Sequence, residues 1–209
     1  MNYSDNIELP SDSHHGILLY KNNDQRNEIL TSYLNDKLAK GHMCIYAPVD
    51  PYNSENNNNI YAISSKILNY HKNIQNGNLQ IINMRHYYES AIRREMRSFL
   101  SIKEGLQKAI KSLHSHEKNR KGIFIITDIN FSLLQKRYVG QCFAVEEWLC
   151  NVHSECGQNN HHVTILCLYP NFLLSSSLDG PIKSIRDKLF ELHTTTIDVT
   201  IESSIFKEY

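Results

Sequence analysis

Five short runs rich in Ile, Val, Leu and Tyr constrain this chain most: residues 16–20, 43–47, 79–83, 122–127 and 163–169. None alternates strictly with polar residues, as a strand with one solvated face would, so each must be covered on both sides. Segments with helical spacing lie between them. Ile29, Tyr33, Leu34 and Leu38 form one apolar stripe that ends at Gly41; Ile60, Ile63, Ile67 and Leu68 form another, closed by Asn76-Gly77. Phe99, Ile102, Leu106, Ile110 and Leu113 follow the third run, and Phe143, Val145, Trp148 and Leu149 the fourth. A last helix is expected through Ile182, Ile185, Leu189 and Leu192, with Pro181 in its first turn. Buried strands alternating with helices predict a three-layer α/β sandwich on a mostly parallel sheet of at least five strands.

The β-branched tail "TTTIDVTIESSIFKEY" suits an added edge strand, in antiparallel sense. With 209 residues, one domain over residues 14–209 behind an N-terminal extension of residues 1–13 is expected, and residues 50–59, with their Asn run, read as a solvated connection. Formal charge is balanced overall but not locally: residues 59–120 carry eleven Lys/Arg against four Asp/Glu. Balance and 41% apolar content argue for a folded protein and against a general polyanion binder. No run approaches the roughly 20 apolar residues of a membrane span, and "MNYSDNIELPSDS" lacks the order of a signal peptide, so a cytoplasmic protein is expected. Cys44, Cys142, Cys150 and Cys167 fall in apolar stretches, where a thiol acts as a small hydrophobe rather than a disulfide partner.

Ligands of open α/β sheets bind beyond the C-terminal strand ends, here residues 20–24, 48–50, 83–88, 128–130 and 169–171. "GIFIITDIN" ends an apolar strand on Asp128, the form of a carboxylate that holds Mg²⁺ at a nucleotide site. Its necessary companion is missing: the sequence contains no Gly-x-x-x-x-Gly-Lys-Ser/Thr, and no glycine separates Gly16 from Gly41. Asp24 reads as the N-cap of the first helix, an acidic end that repels phosphate. Cys150, His153 and Cys156, with His161 or His162, carry the donor types of a zinc set but lack the turn that converges paired thiolates. His114 and His116 read as exposed residues at a helix end. The basic run from Arg85 through Arg93, Arg94, Arg97, Lys103, Lys108 and Lys111 reads as the solvated side of an amphipathic helix, with Arg93, Arg97 and Lys103 pairing locally with Glu89 and Glu104. It carries no recognisable nucleic-acid motif. No nucleophile elbow, Ser-His-Asp order or dinucleotide fingerprint is present.

The order of these pieces resembles the MEDS (methanogen/methylotroph sensory) family. The resemblance rests on His15, "GILLY" with Tyr20, Asp24, "EILTSYLNDKLAKG" and "MCIYA". It continues through "LQIINMRHYY" with Tyr87 or Tyr88, "IFIITDINFSL", "AVEEWL" with Glu146 or Glu147, and "ILCLYPNFLL" with Tyr169, over residues 14–195. It implies a RecA/KaiC-like domain without a phosphate loop, serving as a sensory input module in signal transduction or transcription regulation. The chain departs from the family pattern at Gly16, where a Cys is often found, and in having no fused output domain, so output would pass through another protein.

The expected function is a non-catalytic module that binds a small organic ligand or a signalling partner. Its candidate ligand-binding residues are His15, Tyr20, Tyr46, Asp50, Arg85, Tyr88, Asp128, Glu147 and Tyr169, with tyrosines offering an apolar face and one hydroxyl. No catalytic residue, metal or cofactor is expected, nor direct binding to nucleic acid or membrane. Two other readings are a divergent KaiC-like ATPase, with Mg²⁺ on Asp128 and Glu146 or Glu147 as base, and a homodimeric interaction domain.

Overall fold

The computed structural model describes residues 14–50, 60–113, 120–157, 162–173, 181–199 and 206–208. The extension of residues 1–13, the Asn-rich residues 51–59, His114, His116 and His161 lie outside them. In chain order the elements are β1 (His15–Tyr20), α1 (Asn23–Ala39), β2 (Met43–Ala47), α2 (Ile60–Ser64), α3 (Tyr70–Gln75), β3 (Leu79–Ile81), α4 (Arg85–Ile92) and α5 (Phe99–Leu113). They continue with β4 (Ile123–Thr127), α6 (Ile129–Gln135), α7 (Val139–Gly157), β5 (Val163–Pro170), α8 (Pro181–Glu191), β6 (Thr195–Asp198) and β7 (Phe206–Glu208).

The strands form one sheet in the order β3-β2-β4-β5-β1-β6-β7. Six are parallel, and β7 closes the edge antiparallel to β6. Helices cover both faces, as strands without a polar side require. Because successive side chains point to opposite faces, each strand feeds two cores. Leu18, Cys44, Tyr46, Phe124, Ile126 and Leu168 pack on Ile29, Leu30, Tyr33 and Leu34 of α1 and on Ile60 and Ile63 of α2. Ile17, Ile45, Ile125, Ile165 and Cys167 pack on the other side against Phe99 of α5, Leu133 of α6, Val145 and Val152 of α7, and Leu189 of α8. The fold is thus the three-layer α/β sandwich. The tail adds two strands rather than one, and β6, the inner of the two, runs parallel because it pairs with β1.

Three local readings need correction. The α1 N-cap is Asn22, whose side chain accepts the Gln25 amide at 2.9 Å; Asp24 sits inside the first turn. Gln25 in turn accepts the Lys21 amide at 2.6 Å, so the β1–α1 turn is closed by amide side chains rather than by a carboxylate. The expected helix through Ile60 and Leu68 is two short ones, α2 and α3. Asn69 adopts φ 53°, Leu68 is 68% exposed, and Asn35 of α1 bonds the backbone freed at the break, accepting from Leu68 N–H and donating to Lys66 O. The basic run also divides, at Arg94 with φ 61°, into α4 and α5. Its pairs among the described residues are Arg85 with Asp50 and Glu89, Arg93 with Glu95, and Lys103 with Glu155, a residue distant in sequence. The five cysteines are free thiols.

Candidate functional site

Chain direction creates a cleft at the C-terminal strand ends. From β1 and β2 the chain leaves toward the α1–α2 layer, and from β4 and β5 toward the α6–α8 layer. Departures to opposite sides open a crevice at that edge. It measures about 540 Å³ and is lined by Tyr20 at the end of β1 and Lys21 after it, Asp50 after β2, Arg85 and Tyr88 of α4, and Phe131 of α6. Asp50 is held in the left-handed region at φ 57°, a conformation that costs a non-glycine residue on the order of 1 kcal/mol. The Arg85 guanidinium ties it down at 2.6 Å and also reaches Glu89 at 3.1 Å. Asn83 accepts both the Asp50 and Arg85 amides. Four of the nine candidate residues, Tyr20, Asp50, Arg85 and Tyr88, therefore converge on this cleft.

Tyr46 and Asp128 lie below it, on the α1 face of the sheet, joined by a residue that the sequence reading missed. Arg26, 1% exposed, donates from Nη2 to Tyr46 Oη at 2.8 Å and to Asp128 Oδ2 at 3.2 Å, while Nη1 donates to Asn27. The Val49 amide donates to Asp128 Oδ1 at 2.9 Å. Burial pushes the Asp128 carboxyl above its usual range, against the pull of Arg26 and the Val49 amide, while the Arg26 guanidinium is held charged beside it. Burial raises the Tyr46 and Tyr20 phenols to about 12, so both stay neutral donors. At the helix start where a phosphate loop would turn amides toward an anion, this chain places an arginine pointing inward. The signal was present: Arg26 shares the spacing of Ile29, Leu30 and Tyr33, the buried stripe of α1.

His15 and Tyr169 point to the opposite face of the sheet, so they cannot share a cleft with Tyr46 and Asp128. There they meet Glu146 of α7, which is 0% exposed. Tyr169 Oη donates to Glu146 Oε1 at 2.5 Å, and Glu146 Oε2 lies 3.3 Å from His15 Nε2, 3.1 Å from His193 Nε2 and 3.4 Å from Cys167 Sγ. Burial opposes charge on Glu146, but His193 and His15 hold its carboxyl well below the usual range. Burial lowers His15, while Glu146 overcomes burial to raise His193. Burial pushes the Cys167 thiol and Tyr169 phenol far up.

Glu147, the neighbour selected from sequence, faces outward and pairs with Lys188 at 3.6 Å; it is not a cleft residue. Helix phase decides between the two: Cys142, Val145, Leu149 and Val152 are the buried stripe of α7, and Glu146 is on it. His193 and Cys167 were not singled out for a site, having no spacing in common with His15 or Glu146. The Cys150, His153 and Cys156 set assembles no metal-capable group among the described residues, where His15, Glu146, Cys167 and His193 do. Among the described residues no helix is long and apolar enough to cross a membrane.

The chain is thus a mostly parallel three-layer α/β sandwich with a strand-end cleft and an arginine–aspartate pair where a phosphate loop would stand. The family model described as MEDS, the MEthanogen/methylotroph, DcmR Sensory domain, matches residues 14–182. The chain belongs to this family of sensory domains. Comparison with curated proteins found no match.

Proposed function

We propose that this chain is a non-catalytic sensory module whose input site is the strand-end cleft, and that it takes a small polar organic ligand and passes its state to a separate signalling protein. The observation that carries this reading is Arg85, 59% exposed at its side chain, held over the cleft between Asp50 and Glu89 beside the strained Asp50 backbone. A ligand carboxylate or carbonyl would compete with Asp50 for the guanidinium, with Tyr20, Tyr88 and Phe131 giving it an apolar wall. Losing that contact frees Asp50 from its left-handed conformation, so occupancy alters the backbone at Asp50. Sensory family membership supports the same reading.

The test is an NMR titration of the full chain with a panel of small organic acids, amides and alcohols. Saturable shifts at Tyr20, Asp50 and Tyr88 that vanish in Arg85→Ala, with the denaturation midpoint unchanged, are expected. A panel that leaves those residues unmoved, or shifts that survive the substitution, overturns the assignment.

The nucleotide reading keeps the RecA/KaiC-like relationship and Asp128 but finds little support in the geometry. Both Asp128 oxygens are engaged, and Glu146 lies on the other face of the sheet. Calorimetry with Mg-ATP is expected to give no binding heat. The homodimer reading is decided by light scattering across concentration.

A further inference from the structure

We propose that His15, Glu146, Cys167 and His193 form a buried four-coordinate site for a divalent transition metal, Zn²⁺ by its donor set, between the sheet and α7. Two imidazoles, one thiolate and one carboxylate are donors that Zn²⁺ takes in tetrahedral sites. The spacing fits. A tetrahedron with Zn–N, Zn–O and Zn–S bonds of ordinary length has edges of about 3.3–3.6 Å. Glu146 Oε2 stands 3.1 Å from His193 Nε2, 3.3 Å from His15 Nε2 and 3.4 Å from Cys167 Sγ, and Cys167 Sγ stands 3.6 Å from His15 Nε2. All four donor atoms lie within 4.8 Å of one another.

Proton bookkeeping points the same way. His193 Nδ1 lies 2.6 Å from the Leu189 carbonyl, which can only accept, so Nδ1 carries the hydrogen. That leaves Nε2 as the ring atom facing Glu146 Oε2, at 3.1 Å, the atom a metal would take. Without a metal, Cys167 Sγ–H donates to the same oxygen and protons answer for these contacts one by one; one metal ion at the centre would serve all four donors at once.

The groups behind the donors are those that orient metal ligands. Leu189 O fixes the His193 ring, Tyr169 Oη donates to the second oxygen of Glu146, and the Asn130 amide donates to Cys167 Sγ at 3.4 Å, as it would to a thiolate. The donors come from β1, α7, β5 and the α8–β6 connection, and all are buried. A closed, buried, four-donor site is structural rather than hydrolytic. Its metal would tie the segment carrying His193, which lies beyond the family match, to the central sheet.

The experiment uses the purified full chain, refolded with and without Zn²⁺ or Co²⁺. Expected are one metal ion per chain after dialysis, a metal-dependent rise in Tm, and with Co²⁺ the visible bands of a tetrahedral ion plus a near-ultraviolet sulfur-to-metal band. That band should be lost in Cys167→Ser and kept in Cys150→Ser, and Asn130→Ala should weaken binding about tenfold. Should Cys167→Ser fail to fold, the wild-type cobalt spectrum decides alone. Folded wild-type protein that retains no metal, a cobalt complex without a sulfur band, or a band that survives Cys167→Ser overturns the site and leaves a metal-free Glu146–His193 pair.

Discussion

Replacing Arg26 by Met keeps most of the stem volume of the side chain but removes its charge, and it tests the α1 end of the fold directly. Both partners of the pair are essentially unexposed, so Asp128 would be left as a buried carboxylate with the Val49 amide as a remaining donor, and Tyr46 Oη would lose the Nη2 hydrogen bond. Breaking a buried pair from one side costs about 3–5 kcal/mol. For a chain of this size that lowers Tm by on the order of 10 °C. Asp128→Asn retains an acceptor for the Val49 amide and strands the guanidinium instead, at a similar cost of about 3 kcal/mol. The two changes together remove both charges, so the double variant should be more stable than the sum of the singles predicts, by about 2 kcal/mol. Urea denaturation of the four proteins at pH 7 measures each corner of the cycle. A cost below about 1 kcal/mol for Arg26→Met, or an additive double variant, would refute the ion pair as the element that closes this end of α1.

Other substitutions separate the remaining features. Asn22→Ala removes the observed α1 cap and should cost about 1 kcal/mol in urea denaturation, whereas Asp24→Asn should cost a few tenths. His42 is held down to about 4 by burial and by Lys37 and Lys121, against about 6.5 in an unfolded chain. Below pH 6.5 the unfolded state therefore binds the extra proton, and stability is lost as pH falls toward 4. Urea midpoints at pH 7 and pH 5 should differ, and His42→Gln should flatten that difference.

The layer structure was legible in the sequence because burial on both faces leaves a strand no polar side, and the five apolar runs became β1 to β5 with small changes at their ends. The absence of a phosphate loop was legible too, since that chemistry needs contiguous glycines and a lysine. The site residues were not, because nearness to a strand end does not say which face of the sheet a side chain takes. Strand periodicity sends Tyr20, Tyr46 and Asp128 to one face and His15, Cys167 and Tyr169 to the other, so one proposed cleft became a cleft and two separate buried polar clusters. Helix phase could have placed Arg26 and Glu146 on buried stripes, and would have chosen Glu146 over its neighbour. Nothing local announces His193 or pairs it with His15. These residues are 178 positions apart (193 minus 15), and only the parallel pairing of β6 with β1 brings their side chains to the same carboxylate. The sequence by itself determined what must be buried and which motif was missing; which buried polar groups meet was decided by strand order, since only tertiary packing can bring distant charges close enough to satisfy one another.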